Sequence, residues 1–149
     1  MIAVVQRVRS ASVTIQNQLT SRIGRGLCAL VSIVKEDTDD DLKWMAEKLV
    51  SLRVFPNGEK EFDQDVRQIG GEVLLVSNFT VSAATRRGRR PSFEPAMSPA
   101  MASVMFHQFV RRVRETSVRT ETGRFGSDML IDLQNDGPVT LIINSRSET

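Results

Sequence analysis

The chain is expected to fold as an α+β domain on a compact, mostly antiparallel or mixed, barrel-like sheet with two main helices. Three observations predict this. Its 149 residues suit a single domain spanning 1–149. About eight short apolar or alternating runs, punctuated by Gly, Pro and Asn, read as strands. Two segments carry helical spacing and do not alternate regularly with the strands, so a doubly wound parallel sheet is not expected.

The elements follow in order. Ile2 to Val8 is a first strand, and Ser12 to Gln16 alternates as a half-buried second one. Asn17-Gln18 turns the chain into Leu19 to Ile23. Gly24 and Gly26 bracket a turn before Leu27 to Val34, an unbroken apolar run of the kind buried on both faces. Thr38 or Asp39 caps a helix reaching about Leu52, with Leu42, Met45, Ala46, Leu49 and Val50 on one face. Arg53 to Phe55 is a short strand ended by Pro56-Asn57-Gly58. Glu72 to Val76 is a buried strand after the turn Gly70-Gly71, and Ser82 to Pro95 a polar loop. Ser98 and Pro99 open a second helix that ends near Glu115, with Met101, Met105, Phe109 and Val113 at i+4 spacing. Val118 to Thr122, Asp128 to Gln134 and Val139 to Ile143 complete the strands, the last two joined by a turn at Asn135-Asp136-Gly137-Pro138. Ser145 to Thr149 should fray.

Composition excludes several classes. No apolar run approaches the ~20 residues a membrane span needs. The first residues show no basic segment followed by an apolar core, so a secretory signal is not expected. One cysteine, Cys28, rules out an internal disulfide framework and fits a reducing, cytoplasmic compartment. One cysteine and one histidine leave no zinc finger, and neither a phosphate loop nor a dinucleotide fingerprint occurs, so no metal and no cofactor is expected. Net charge is +2 but unevenly placed. Residues 36–72 hold eleven acidic and five basic side chains, net −6; residues 86–124 hold nine basic and three acidic, net +6. Sixteen of the twenty basic residues are Arg, the side chain suited to phosphate. The positive half is either a polyanion contact or a solvated face.

Conventional catalytic groups are scarce. His107 lies mid-helix and Cys28 inside an apolar strand, where both read as structural. The strand end Ser77-Asn78-Phe79-Thr80 stands out, because hydroxyls, an amide and backbone N–H groups there suit a polar ligand or an oxyanion. The same residues also fit a strand that continues to Val81 through a bulge. Gly137-Pro138 sits in a bend, where a trans bond is the default and a cis bond is usually purposeful. Arg86, Arg87, Arg89 and Arg90 crowd one loop and suit phosphate contact or solubility alone; with no aromatic between them, base stacking is not indicated there.

Taken together, these segments resemble the D-aminoacyl-tRNA deacylase family of the Gly-cisPro type. The resemblance runs nearly end to end. It rests on Met1 to Val8 with Ala11-Ser12-Val13, Gly26-Leu27, Gly70-Gly71, Val76 to Thr80, Arg90 to Phe93, Thr122 to Gly126, Asp128-Met129 and Asn135 to Thr140. The resemblance implies a homodimer that hydrolyses the ester of D-aminoacyl-tRNA and glycyl-tRNA. It implies catalysis at Ser77, Asn78, Phe79 and Thr80, with Phe125, Met129, Val139 and Thr140 as pocket candidates. Gly137-Pro138 would reach into the partner subunit's site and exclude L-side chains with backbone carbonyls. The Arg loop, with Arg111, Arg112 and Arg114, would contact the acceptor stem. One position departs from the family pattern: Asn78 stands where Gln is usual, one methylene shorter. Within this frame Thr80 is either a nucleophile or a positioning group beside backbone donors, the ribose 2′-hydroxyl then helping to activate water. A non-catalytic RNA-binding module and a general esterase are the competing classes.

Overall fold

The structure, a computed structural model, describes residues 1–146. Six strands form one sheet, with two helices. They are β1 (Ile2–Ile15), β2 (Gln18–Ile23), β3 (Gly26–Ser32), α1 (Asp39–Ser51), β4 (Glu72–Ser77), α2 (Pro99–Glu115), β5 (Arg119–Thr122) and β6 (Leu130–Asn144). The sheet runs β2-β1-β3-β4-β5, and β6 pairs with β1. β1 is antiparallel to β2, β3 and β6, whereas β3, β4 and β5 run parallel. The expected mixed, barrel-like α+β architecture is therefore what the chain adopts.

Several boundaries differ from expectation. The two N-terminal strand segments are one strand: β3 pairs with its first half, β2 with its second, and β6 with both. The turn after it lies one residue earlier, at Gln16 and Asn17, whose positive φ values of 49° and 61° suit the tight hairpin. Arg53 to Phe55 is not a strand; Phe55 makes a single bridge to Gln64, and Arg53 is held by Asp63 at 2.6 Å. The segment at 135–138 is not a reversing turn. Gln6 faces Thr140 and Val8 faces Asn135, so the surplus residues on β6 bulge from a ladder that continues on both sides. Gly26 is not a turn glycine. It opens β3, where a Cβ would lie 1.8 Å from the Glu72 carbonyl oxygen.

Burial explains the unbroken apolar runs. Leu27, Ala29 and Val31 of β3 and Val73 and Leu75 of β4 face the helices; Cys28, Leu74 and Val76 face the barrel interior with Val8, Val13 and Ile23. Burial pushes the Cys28 thiol up to about 12, which keeps it protonated and inert. On α2 the buried face is Ala102, Phe106, Phe109, Val110 and Val113; Met101, expected on it, is exposed. Ser98 sits at the N-cap of α2 with Pro99 inside, but its side chain makes no capping bond.

The start of α1 is tied to the segment that follows β6. Asp41 accepts from the Thr38 N–H at 2.8 Å, the Thr38 hydroxyl at 2.9 Å, Ser145 at 2.6 Å and Arg146 at 3.1 Å. Ser145 and Arg146 are thus anchored rather than frayed; Ser147 to Thr149 lie outside the described residues. Burial raises the Asp41 carboxyl, but these hydrogen bonds outweigh it and hold it well below the ordinary carboxylate range. The folded state therefore binds that proton more weakly than the unfolded chain. The resulting stabilisation is present at neutral pH and is lost as pH falls below about 4. Asp41→Asn is expected to lose about 1–3 kcal/mol at pH 7 and distinctly less at pH 3. Urea denaturation at the two pH values measures this, and an equal loss at both would rule out the charged form as its source.

Candidate active site

The three parallel strands come from two helical crossovers, and their carboxyl ends open on one side, the usual place for a ligand in such sheets. There β4 ends at Ser77, and a short 3-10 turn, Phe79–Ser82, begins. The alternative of a strand continuing to Val81 is excluded. The Asn78 N–H donates to the Val31 carbonyl at 2.7 Å, fixing the turn to the end of β3. Asn78 Oδ1 accepts from the Thr80 N–H at 3.2 Å and the Thr80 hydroxyl at 2.5 Å. Beneath, buried Ser32 donates to Ser82 Oγ at 2.8 Å, and Ser82 donates to the Phe79 carbonyl at 3.0 Å. The sequence signal for this pair is a serine inside the apolar β3, which must find a partner.

These contacts leave a defined set of free groups. The Phe79 N–H donates to no group among the described residues. The Thr80 N–H and hydroxyl are both taken by Asn78. Among the described residues no histidine or carboxylate bonds Thr80, so none of them acts as a base toward it. The shorter amide of Asn78 is thus spent on shaping the turn.

A cavity of about 770 Å³ opens beside the turn. Ser77, Asn78, Phe79, Phe125 and Met129 line it, and Phe93 packs edge-on against Phe79 with ring centres 5.0 Å apart. Gly123 makes room for Met129, since a Cβ there would stand 2.4 Å from the Met129 sulfur.

Other expected residues lie elsewhere. Gly137 and Pro138 are exposed and line a separate cleft with Arg9 and Asp136. Their peptide bond is cis, not the default trans form. Arg7 holds this bulge by donating to the Asp136 carbonyl at 3.1 Å and to the Val54 carbonyl at 2.7 Å. Val139 packs half-buried against the core, and exposed Thr140 accepts from Gln6 at 3.2 Å, so neither lines the cavity beside Ser77. Arg86, Arg87, Arg89 and Arg90 are exposed on a loop closed by Ala84 and Ser92; among the described residues none has an ion-pair partner. Arg111 is exposed, whereas Arg112 bonds Asp39 and Arg114 reaches the Thr120 carbonyl at 3.4 Å.

Comparison with known proteins places this geometry. The family model described as D-Tyr-tRNA(Tyr) deacylase matches residues 4–144. A D-aminoacyl-tRNA deacylase of Chlorobaculum parvum is 48% identical over 146 residues, covering 97% of this chain and 98% of the relative. One of Desulfitobacterium hafniense is 45% identical over 145 residues, covering 97% of each. The solved structure titled c-Myc DNA Unwinding Element Binding Protein superposes with a TM-score of 0.94 at 38% identity, over 99% of this chain and 100% of that one. A probable eukaryotic D-amino acid tRNA deacylase, 16% identical, shares the fold with a TM-score of 0.81 over 95% and 97% of the two chains. Fold, cavity and relatives together define a hydrolase of the deacylase class. The chain belongs to the D-Tyr-tRNA(Tyr) deacylase family.

Proposed function

We propose that the chain hydrolyses the ester of D-aminoacyl-tRNA, and of glycyl-tRNA mischarged on non-cognate tRNA, releasing free amino acid and tRNA as a proofreading step of translation in the cytoplasm. The supporting observation is the cavity at the carboxyl ends of the parallel strands, walled by Ser77, Asn78 and Phe79, in a chain whose relatives carry that name. Water adds to the ester carbonyl, and the oxygen takes the negative charge. The free Phe79 N–H is the donor suited to hold it. Collapse of this intermediate breaks the bond to the ribose 3′-oxygen, which leaves with a proton. The ribose 2′-hydroxyl assists the water, since no histidine or carboxylate among the described residues bonds Thr80.

The engaged Thr80 hydroxyl favours positioning over nucleophilic attack. Thr80→Ala is therefore expected to keep kcat within about tenfold, against the roughly 10⁴-fold or greater loss that follows removal of a nucleophile. Single-turnover deacylation decides between them.

In this proposal the enzyme is a homodimer. Gly137 and Pro138 are exposed and separate from their own cavity, and β6 also exposes Leu130 and Ile142, apolar side chains suited to a second copy. Gly137-Pro138 of the partner then closes each site, leaving space for a hydrogen or a D-side chain and none for an L-side chain. Incubation with matched D-aminoacyl-, L-aminoacyl- and glycyl-tRNA tests the whole reading. Turnover of the D and glycyl forms alone is expected. Hydrolysis of both enantiomers would indicate a general esterase, and binding without turnover an RNA-binding module.

The exposed arginines at 86–90 meet acceptor-stem phosphates. KM is expected to rise steeply with salt, log KM gaining about 0.7–0.9 per unit of log salt for each phosphate that the loop neutralises. Arg86→Gln with Arg87→Gln should flatten that slope, and a salt-independent KM would remove the loop from tRNA binding.

A further inference from the structure

Across Phe125 from the cavity just described lies a second one, of about 490 Å³. It lies between the hairpin strand β2, helix α2 and the end of β5, and Phe125 lines both cavities. Its lining is of a different kind, holding Ser21, His107, Glu121 and Arg124. None of these is used in the proposed hydrolysis.

The polar groups present a mixed pattern. Arg124 offers donors and has no ion-pair partner among the described residues. Glu121 offers a carboxylate, held only loosely by Arg119 at 3.6 Å. His107 Nδ1 lies 2.6 Å from the Ser103 carbonyl oxygen. A carbonyl only accepts, so Nδ1 carries the hydrogen, and in that tautomer Nε2 is the acceptor. Ser21 is 8% exposed, and its buried Oγ has no partner among the described residues. Buried hydroxyls without a partner are uncommon in native proteins and call for an explanation. A phosphate would find a carboxylate and an imidazole acceptor set against it. A nucleobase edge, which carries donors beside acceptors, finds both complements and an aromatic wall.

We propose that this second cavity receives the base of the penultimate nucleotide of the tRNA 3′ end, a cytosine. Phe125 separates it from the terminal nucleoside in the first cavity. This assignment rests on the function proposed above. Cytosine presents an exocyclic amine to Glu121 and Nε2 of His107, and its N3 and O2 acceptors to Arg124 and Ser21. Uracil presents an oxygen where cytosine has the amine, and so meets the carboxylate with an acceptor.

The test is deacylation of two D-aminoacyl-tRNAs, ending in CCA and CUA, each made by ligating an aminoacylated dinucleotide to a tRNA truncated by two residues. KM is expected to be at least tenfold higher for the uridine form, with kcat within about twofold. Glu121→Gln, which exchanges an acceptor for a group able to donate to uracil, should cut that KM ratio at least threefold. Equal KM values for the two substrates would overturn the inference while leaving the proposed function standing. So would an unchanged ratio in Glu121→Gln. A KM raised equally for both by Arg124→Gln, without base preference, would assign a phosphate to the cavity and overturn base recognition. No turnover of either substrate would remove the proposed function, and this inference with it.

Discussion

Gly26→Ala is expected to leave little or no folded protein. Gly26 pairs with Glu72 across the parallel β3–β4 ladder, and a Cβ would stand 1.8 Å from the Glu72 carbonyl oxygen and 2.7 Å from its backbone N and C. The obstacle is backbone, not the end of a side chain. Glu72 cannot retreat, because β4 is also paired to β5. Its N–H is bound to the Arg25 carbonyl at 3.1 Å, and its carboxylate takes the Gly24 N–H and Arg119, both at 2.9 Å. A loss beyond about 4–5 kcal/mol is expected, comparable with the whole stability of a small domain. Gly24 is the internal control: nothing lies within 4 Å of a Cβ there, so Gly24→Ala should stay within about 1 kcal/mol of the parent. Soluble yield and urea midpoints by circular dichroism compare the two. A normal midpoint for Gly26→Ala would mean that the strands separate without cost.

Gly137→Ala is expected to spare the fold and erode the choice between enantiomers. Gly137 has φ +127°, a conformation costly to any L-residue, and a Cβ would meet Val139 Cγ2 at 2.8 Å and Arg7 Nη2 at 3.0 Å. The Arg7 guanidinium end gives way, but Val139 Cγ2 is short and branched and the Val139 backbone N would stand 3.0 Å away, so the bulge itself must shift. Arg7 is also the residue that holds the Asp136 carbonyl, and its displacement moves the bulge that the proposed mechanism places against the substrate. The D-to-L rate ratio should fall at least tenfold, about 1.4 kcal/mol of discrimination, while D-aminoacyl-tRNA is still hydrolysed. Matched single-turnover rates measure the ratio, and a melting curve confirms the fold. An intact fold with an unchanged ratio would exclude the bulge from substrate selection.

The two helices and the buried strands were legible because their patterns are local. Leu27 to Val34 announces a two-sided environment by itself, and Pro99 marks a helix start. The long strands were not legible as single elements. Whether Val8 to Ser12 interrupts β1, or Asn135 to Pro138 reverses β6, depends on what lies alongside, and each strand is kept straight by the other. The apolar face of α2 was misplaced by the regular spacing of its methionines, since Met101 extends past the edge of the core. At the site, Ser77, Asn78, Phe79, Phe125 and Met129 were legible through the family resemblance and converge on one cavity. The partners that decide their chemistry were hidden: the engagement of Thr80 by Asn78 is side-chain geometry, and Ser32 signals that it needs a partner without pointing to Ser82.

The pairing of β1 with β6 also bears on how the protein is made. β1 finds β2 and β3 soon after they are made, but its remaining edge stays bare until residues 130–144 have emerged. Through most of synthesis the nascent chain therefore carries a long, unpaired apolar strand edge, a template for wrong pairing with neighbouring chains. Closure of the barrel waits for β6, and chaperone dependence should concentrate in the interval before it pairs.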